Sequence, residues 1–281
     1  MLGLFPLAFA VVDSETEDNW KWFLRNLRKV VAYDRSVTFV SDRNPGLVDG
    51  VADVFPFAHH AFCLQHLKAN LRDKFSGGYT NEFRERMVLL LRECAYAPTV
   101  PVFHAKLQVL RQEGGSNVDR FLSGLCHDRW SNAYFKGHRY GEMCSNASES
   151  FNSWIREARH LPITKMVDMI RVQIMEQMAN RRELSSLWKG VICPDMDKRL
   201  EASIKLGRTW SVRRSSDTVF DVHSFPSVTV DIFNRICSCY QWQINGFPCA
   251  HACAAIQKCG KDLNLYVDWF FSHRDIQTCI L

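Results

Sequence analysis

The sequence has no long hydrophobic run, no low-complexity segment and no internal repeat. A bilayer-spanning helix needs roughly 18 or more consecutive apolar residues, so the absence of such a run argues against a membrane protein. The chain has 281 residues, of which 47% are hydrophobic and 23% charged, as is ordinary for a folded soluble protein. This length is enough for one large domain or two smaller ones.

The sequence also lacks a regular disulfide framework and a convincing export signal. The cysteines number eleven, an odd count, and most lie singly along the chain, as is typical of proteins in a reducing compartment. The apolar start of the chain imitates a signal peptide, but no positive charge precedes it and Pro6 interrupts it. We therefore expect no export. The single cysteines include Cys63, Cys94, Cys126, Cys144 and Cys193.

An excess of positive over negative charge is lacking except in one segment. The net charge is +5, and between Ile155 and Ser215 there are 13 Lys and Arg against 7 Asp and Glu, leaving 22 against 23 elsewhere. Such a segment is suited to hold a phosphate backbone. A solvated helix face explains it equally well, and the sequence leaves both interpretations open.

Four metal-ligand side chains form two short pairs near the C-terminus, separated by nine residues. Zinc in closed structural sites takes four thiolate or imidazole ligands, and a turn that joins two ligand pairs is the usual way to supply them. Clustered core cysteines are the simpler alternative, and Cys253, four residues after Cys249, is a candidate replacement ligand on a helix. The predicted ligands are Cys237, Cys239, Cys249 and His251, with the turn at Asn245-Gly246.

In the first 75 residues the pattern predicts strands that alternate with helices, which indicates an α/β domain with some parallel pairing. The expected elements are a buried strand over residues 6–12, a helix over 18–31, a strand over 36–40, a helix over 44–52, a strand over 58–63 and a helix over 64–74.

Beyond residue 80 the pattern changes to helices alone. Residues 81–125 read as an all-helical insertion, residues 145–160 as a helix with an apolar stripe, and residues 164–183 as a long helix. Short alternating stretches after Trp210 predict a small sheet that leads to the four metal ligands, and a short helix over residues 249–258 is expected to carry Cys249 and His251 at its start.

Two carboxylates occupy positions suited to catalysis. Asp42 follows a predicted buried strand, at the sheet edge where ligands bind in α/β folds, and Glu149 lies on the polar face of a predicted helix. Carboxylates in such places hold magnesium ions for phosphoryl transfer. An Asp after a strand is also a common turn residue, and a Glu on a polar face is usually solvated.

The motifs carry two resemblances. The segment Cys237 to His251, with all four ligands and the Gly246-x-Pro248-Cys249-x-His251 core, resembles the SWIM zinc finger, which implies zinc and an interaction role. Five further blocks resemble plant Mutator-like element (MULE) transposases. These blocks are Phe5-Pro-Leu-Ala-Phe-Ala-Val-Val-Asp-Ser-Glu15, Trp20-Lys-Trp-Phe-Leu24, Val40-Ser-Asp-Arg43, Cys63-Leu-Gln-His-Leu-Lys-Ala-Asn70 and Ser145-Asn-Ala-Ser-Glu-Ser-Phe-Asn152.

The transposase resemblance implies a ribonuclease-H-like fold interrupted by a helical insertion, with an Asp-Asp-Glu triad that holds Mg²⁺ or Mn²⁺ for cleavage and transfer of DNA strands. Asp42 matches the second Asp of that triad, and Glu149 is the candidate Glu. Cys63 and His66 match a Cys-x-x-His pair of the family, whose role we leave open. A hydrolase built on Cys63 is disfavoured, because a His three residues away does not supply the required geometry.

The first Asp of the triad belongs to a strand that precedes the Pro-Leu-Ala-Phe-Ala block, and this sequence begins at that block. We therefore expect impaired catalysis for the chain as given. A domesticated DNA-binding transcriptional regulator, similar to the far-red-response factors that descend from these transposases, is the alternative. We expect DNA as a partner, protein contacts through the finger and a nuclear location. The oligomeric state is left open.

The expected fold class is α/β, with an incomplete ribonuclease-H-like core and an all-helical insertion, followed by a small α+β zinc-finger module. The expected domains are a transposase domain over residues 1–160 with its insertion at about 81–125, a basic helical connector over 161–215, the SWIM finger over 216–260 and a tail over 261–281.

Overall fold

The computed structural model describes residues 6–31 and 36–272, which fall into two compact units. The N-terminal unit is Leu7–Ala147 and the C-terminal unit begins at Ser148. The elements of the N-terminal unit are α1 (Glu17–Arg28), β1 (Thr38–Ser41), α2 (Pro45–Val54), β2 (His59–Phe62), α3 (Leu64–Lys74), α4 (Asn81–Tyr96) and α5 (Val100–Leu122).

Strands β1 and β2 confirm the predicted parallel pairing. Thr38 lies opposite His59 and Ser41 opposite Phe62, and α2 forms the connection between the two strands. Helix α1 packs against α2, where Gly50 leaves room for the Leu24 side chain: a Cβ at this glycine would lie 3.0 Å from Leu24 Cδ1. The described residues supply two strands here, so the ribonuclease-H-like core remains a prediction.

Helices α3, α4 and α5 enclose the main hydrophobic core of the N-terminal unit. Their bounds confirm that the segment predicted as an insertion is helical. A glycine with a φ of +56°, Gly115, kinks α5. The fully buried side chains of this core include Leu67, Leu71, Met87, Leu91, Phe103, Leu110 and Trp130.

The predicted buried strand over residues 6–12 is wrong. The segment has no strand assignment, and Leu7, Val11 and Val12 are 61%, 47% and 41% exposed. An apolar run becomes a strand only where a neighbouring strand completes its hydrogen bonds, and the described residues pair none with this segment.

The C-terminal unit combines helices with a four-stranded antiparallel sheet in the order β3-β4-β5-β6. Its helix α10 packs against α8 and against β3, β4 and β5. None of the helices in the described residues is both long and apolar enough to span a membrane. The elements are α6 (Asn146–Trp154, which begins two residues before the unit), α7 (Ile163–Ser186), α8 (Pro194–Gly207), β3 (Ser211–Arg214), β4 (Val219–His223), β5 (Val228–Asp231), β6 (Ile236–Cys237), α9 (Gln241–Asn245) and α10 (Ala250–Lys258).

His60 is a buried polar residue that joins the two parallel strands. Its Nε2 lies 2.7 Å from Ser41 Oγ, and its ring makes edge contacts with Phe39 and Phe62. Burial lowers the pKa of His60 to about 4; the charge of Arg129 acts in the same direction and that of Asp42 in the opposite one. The native state therefore holds a neutral imidazole.

This pKa shift predicts a loss of stability in acid. Between pH 6.5 and pH 4 the unfolded chain takes up a proton at His60 that the native state excludes, so the free energy of unfolding should fall by about 3 kcal/mol across this window. Urea denaturation at pH 7 and pH 4 measures the change. His60→Gln should remove most of this pH dependence, whereas the exposed His138→Gln should retain it; equal pH dependence in both variants would contradict the assignment.

Candidate metal centre

The four predicted ligands converge where the small sheet meets α10. Cys237 ends β6, which pairs with β5, and Cys249 is the N-cap of α10 with His251 in its first turn. Between the two ligand pairs the chain forms α9, a five-residue helix that the sequence analysis did not predict. Gly246, with a φ of +64°, ends α9 at the predicted turn.

The ligand atoms lie close enough to share one ion. Cys239 Sγ is 3.5 Å from Cys249 Sγ, and His251 Nδ1 is 3.9 Å from both Cys237 Sγ and Cys249 Sγ. All four ligand atoms lie within 4.8 Å of one another. Among the described residues, this is the single group of three or more Cys, His, Asp or Glu side chains placed to bind a metal.

These distances fit zinc and not a disulfide. Bond lengths of about 2.3 Å to sulfur and 2.0 Å to nitrogen place the corners of a tetrahedral site about 3.6 to 3.8 Å apart, whereas disulfide sulfurs lie about 2.05 Å apart. Four ligands close the coordination sphere, so the site is suited to structural zinc, whose contribution is to cross-link β6 to α10. Cys237, Cys239, Cys249 and His251 would hold the ion.

The sulfur atoms influence one another's protonation. Hydrogen bonding with the thiol of Cys237 lowers the pKa of Cys239, and the same contact raises the pKa of Cys237. The cluster thus favours a thiolate at Cys239, the form in which cysteine binds zinc.

Cys253 is not part of the cluster. Its buried thiol donates to the carbonyl of Pro248, with a sulfur to oxygen distance of 3.7 Å. Burial, followed by the charge of Cys249, raises the pKa of Cys253 to about 12, which keeps it a neutral thiol. The structure therefore resolves the ambiguity between Cys249 and Cys253 in favour of Cys249.

Two residues outside the ligand set support the site. Gln243 in α9 accepts a hydrogen bond from the Cys237 backbone N–H at 3.2 Å and donates to the Cys237 carbonyl at 2.9 Å. Trp210 stacks on the imidazole of His251, with ring centroids 4.5 Å apart. The sequence analysis missed both, because the presence of a Gln or a Trp in a sequence does not indicate which other residue it contacts.

Asp42 lies directly after β1 and is partly buried. Its Oδ1 accepts a hydrogen bond from the Asn44 backbone N–H at 3.1 Å, and Asn44 in turn caps α2 by accepting from the Leu47 N–H. This is the turn geometry that the sequence analysis gave as the alternative to metal binding. Glu149 is exposed on the polar face of α6, in the C-terminal unit. Their shared role in a metal site remains a prediction.

Cys63 and His66 lie at the start of α3. Cys63 is the N-cap residue, and its sulfur accepts a hydrogen bond from the Ser145 backbone N–H at 3.2 Å. Burial acts to raise the pKa of Cys63, but hydrogen bonds from Ser145 and His66 outweigh it and lower the pKa to about 7. Within the described residues, neither Cys63 nor His66 belongs to a group of three metal ligands.

Comparisons with known proteins agree with the two resemblances. The MULE transposase domain model matches residues 2–70, and the SWIM zinc finger model matches residues 227–260. The chain is 20% identical over 290 residues to Protein FAR1-RELATED SEQUENCE 2 of Arabidopsis thaliana; the match covers 89% of this chain but 35% of the relative, about a third of its length. No solved structure matches. The chain is thus similar to MULE transposases and carries a SWIM-type finger.

The cluster predicts about one bound zinc per chain. Cys237→Ser should lose this zinc together with the fold around β6 and α10, because ligand binding supplies much of the stability of small zinc modules. Elemental analysis of the purified protein and far-ultraviolet circular dichroism measure the two effects. Cys253→Ala, which removes a buried thiol outside the cluster, should retain the zinc; loss of zinc in Cys253→Ala but not in Cys237→Ser would contradict the ligand set.

Proposed function

We propose that this chain is part of a transposase-derived nuclear protein that binds DNA through a zinc-stabilised C-terminal module and that has little or no strand-transfer activity. The observation that carries the proposal is the convergence of three cysteines and a histidine within 4.8 Å, in the segment that matches the SWIM finger. The zinc in this proposal is structural: it holds the module together and leaves contact with DNA to side chains on its surface.

Exposed basic residues next to the finger support DNA as the partner. Helix α8 packs on the finger helix α10, and the chain from the end of α8 into β3 presents Lys205, Arg208 and Arg213 to solvent. Within the described residues these three form no ion pair, so their charges remain available to phosphate groups. They belong to the segment that holds the whole positive excess of the sequence.

Simultaneous replacement of Lys205, Arg208 and Arg213 by Ala should weaken binding to duplex DNA and reduce its dependence on salt. Log K falls as log salt rises, and each lost phosphate contact makes this slope less steep by about 0.9. The loss of three contacts should therefore make it less steep by about 3. Fluorescence anisotropy with a labelled duplex at several salt concentrations measures both quantities.

A matched triple variant in the N-terminal unit, at the exposed Lys74, Arg92 and Arg120, keeps the same change in net charge. It should retain most of the affinity and the wild-type slope. Equal losses in the two triple variants would show that net charge alone drives binding, and absence of binding by the wild-type protein would refute the DNA partner.

The proposal of weak catalysis is supported by the side chains around Asp42. This carboxylate is engaged in the turn that leads into α2, and within the described residues it belongs to no group of three or more potential metal ligands. A two-metal mechanism needs several carboxylates that hold the ions against the reacting phosphate. The family similarity makes Mg²⁺ or Mn²⁺ the ions to test.

Incubation of the wild-type protein with DNA and Mg²⁺ or Mn²⁺ should give no strand cleavage above that of Asp42→Asn. Metal-dependent cleavage that disappears in both Asp42→Asn and Glu149→Gln would overturn the proposal. The similarity over most of the chain to the Arabidopsis relative favours a DNA-binding regulator as the second candidate. Sequence-specific DNA binding and a transcriptional effect, both unchanged in the two variants, would favour that regulator.

A further inference from the structure

The segment that matches the SWIM finger begins at residue 227, yet one face of its histidine ligand is covered from outside that segment. The Trp210 indole and the His251 imidazole are stacked, with a centroid distance of 4.5 Å and an angle of 15° between the ring planes. Trp210 is partly buried, and it lies between the end of α8 and the start of β3.

A glycine brings Trp210 to this place. Gly207, the last residue of α8, lies so near the start of α10 that a Cβ there would come within 2.6 Å of the Ala250 carbonyl oxygen and 3.4 Å of Ala254 Cβ. The backbone N–H of Trp210 donates to the Gly207 carbonyl at 3.1 Å, which forms a turn directly after α8. The close approach of α8 to α10 therefore places the indole over the residue that follows Ala250.

His251 has little else to orient its ring. A zinc-bound histidine usually donates its second ring nitrogen to a carboxylate or a carbonyl, which fixes the ring plane. In the described part of the chain, the hydrogen-bond contacts of the His251 ring are those of Nδ1 with the cysteine sulfurs, and none is made by Nε2. Stacking on Trp210 is a contact that can fix the plane of the ring.

We infer that Trp210 is a positioning residue of the zinc site: its indole orients His251 through stacking and shields one face of the imidazole from water. This inference rests on the proposed zinc site. The flat π face of an indole also interacts favourably with an imidazole that carries positive charge from its metal. The functional finger thus extends back to α8, and the SWIM-matching segment alone lacks part of its zinc site.

The rate of zinc release from the full chain to an excess of a chromogenic chelator tests the inference. Trp210→Leu keeps an apolar side chain but cannot stack, and it should release zinc about 10-fold faster than the wild type, the lower end of the range for loss of an outer contact. Trp210→Phe should restore a rate near that of the wild type. Trp269→Ala, which removes a half-exposed indole of the same unit, should leave the rate unchanged.

Substitution of zinc by Co²⁺ gives a readout that loss of general stability would not reproduce. The visible absorption of tetrahedral Co²⁺ depends on ligand orientation, so Trp210→Leu should shift or weaken these bands at full metal occupancy and Trp210→Phe should not. Gly207→Ala should behave like Trp210→Leu, because its Cβ would push α8 away from α10; Gly77→Ala, in open space, is the control.

The outcomes separate the inference from its premise. A wild-type protein that binds neither Zn²⁺ nor Co²⁺ would refute the zinc site itself. Wild-type metal binding with equal release rates and equal spectra in Trp210→Leu and Trp210→Phe would overturn the role of Trp210 and leave the zinc site in place. If Trp210→Leu fails to fold, the comparison of Gly207→Ala with the wild type decides the same question.

Discussion

The C-terminal unit depends on the convergence of four ligand side chains onto one point. Cys237 and Cys239 lie at the end of β6, whereas Cys249 and His251 lie at the start of α10. The thiol and imidazole groups are held within 4.8 Å of one another. Without a bound metal, bringing these polar groups so close together would contribute little to the stability of the fold. A tetrahedral cation reconciles this geometry with folding, because it converts the crowded donors into a cross-link between the sheet and the helix.

The packing around the four zinc ligands explains why this short ligand motif needs a larger folded unit for its stability. The sheet has four short strands, and α10 covers them while α8 packs on α10. Phe220, Val222 and Val230 are buried in the sheet, as are Ala252 and Ile256 in α10. A sheet of this size buries too little apolar surface to be stable by itself. The helix α8, which packs on α10, and the zinc site, which joins α10 to β6, thus stabilise the same small layer.

The sequence predicted several features with the right physical argument and failed at others for an identifiable reason. The parallel pair β1 and β2 followed from alternation of strands and helices. Ile155 and Ala158 of the apolar stripe predicted over residues 145–160 are buried, although the helix α6 ends at Trp154, before both of them. The apolar run over residues 6–12 reads like a strand but has no ladder partner. Periodicity reports which residues avoid water; it contains no information about whether a neighbouring strand is present.

The sequence alone determined that two short pairs of zinc ligands are available and in which order they come, because the spacing within each pair is local. The tertiary structure decided which of the nearby cysteines take part: Cys253 lies one helical turn beyond Cys249, yet its thiol is directed to the Pro248 carbonyl. It also decided that Trp210 lies on His251 and that Asp42 belongs to a turn. These contacts join residues that are distant along the chain or depend on backbone direction, and such geometry exists only once the elements have packed.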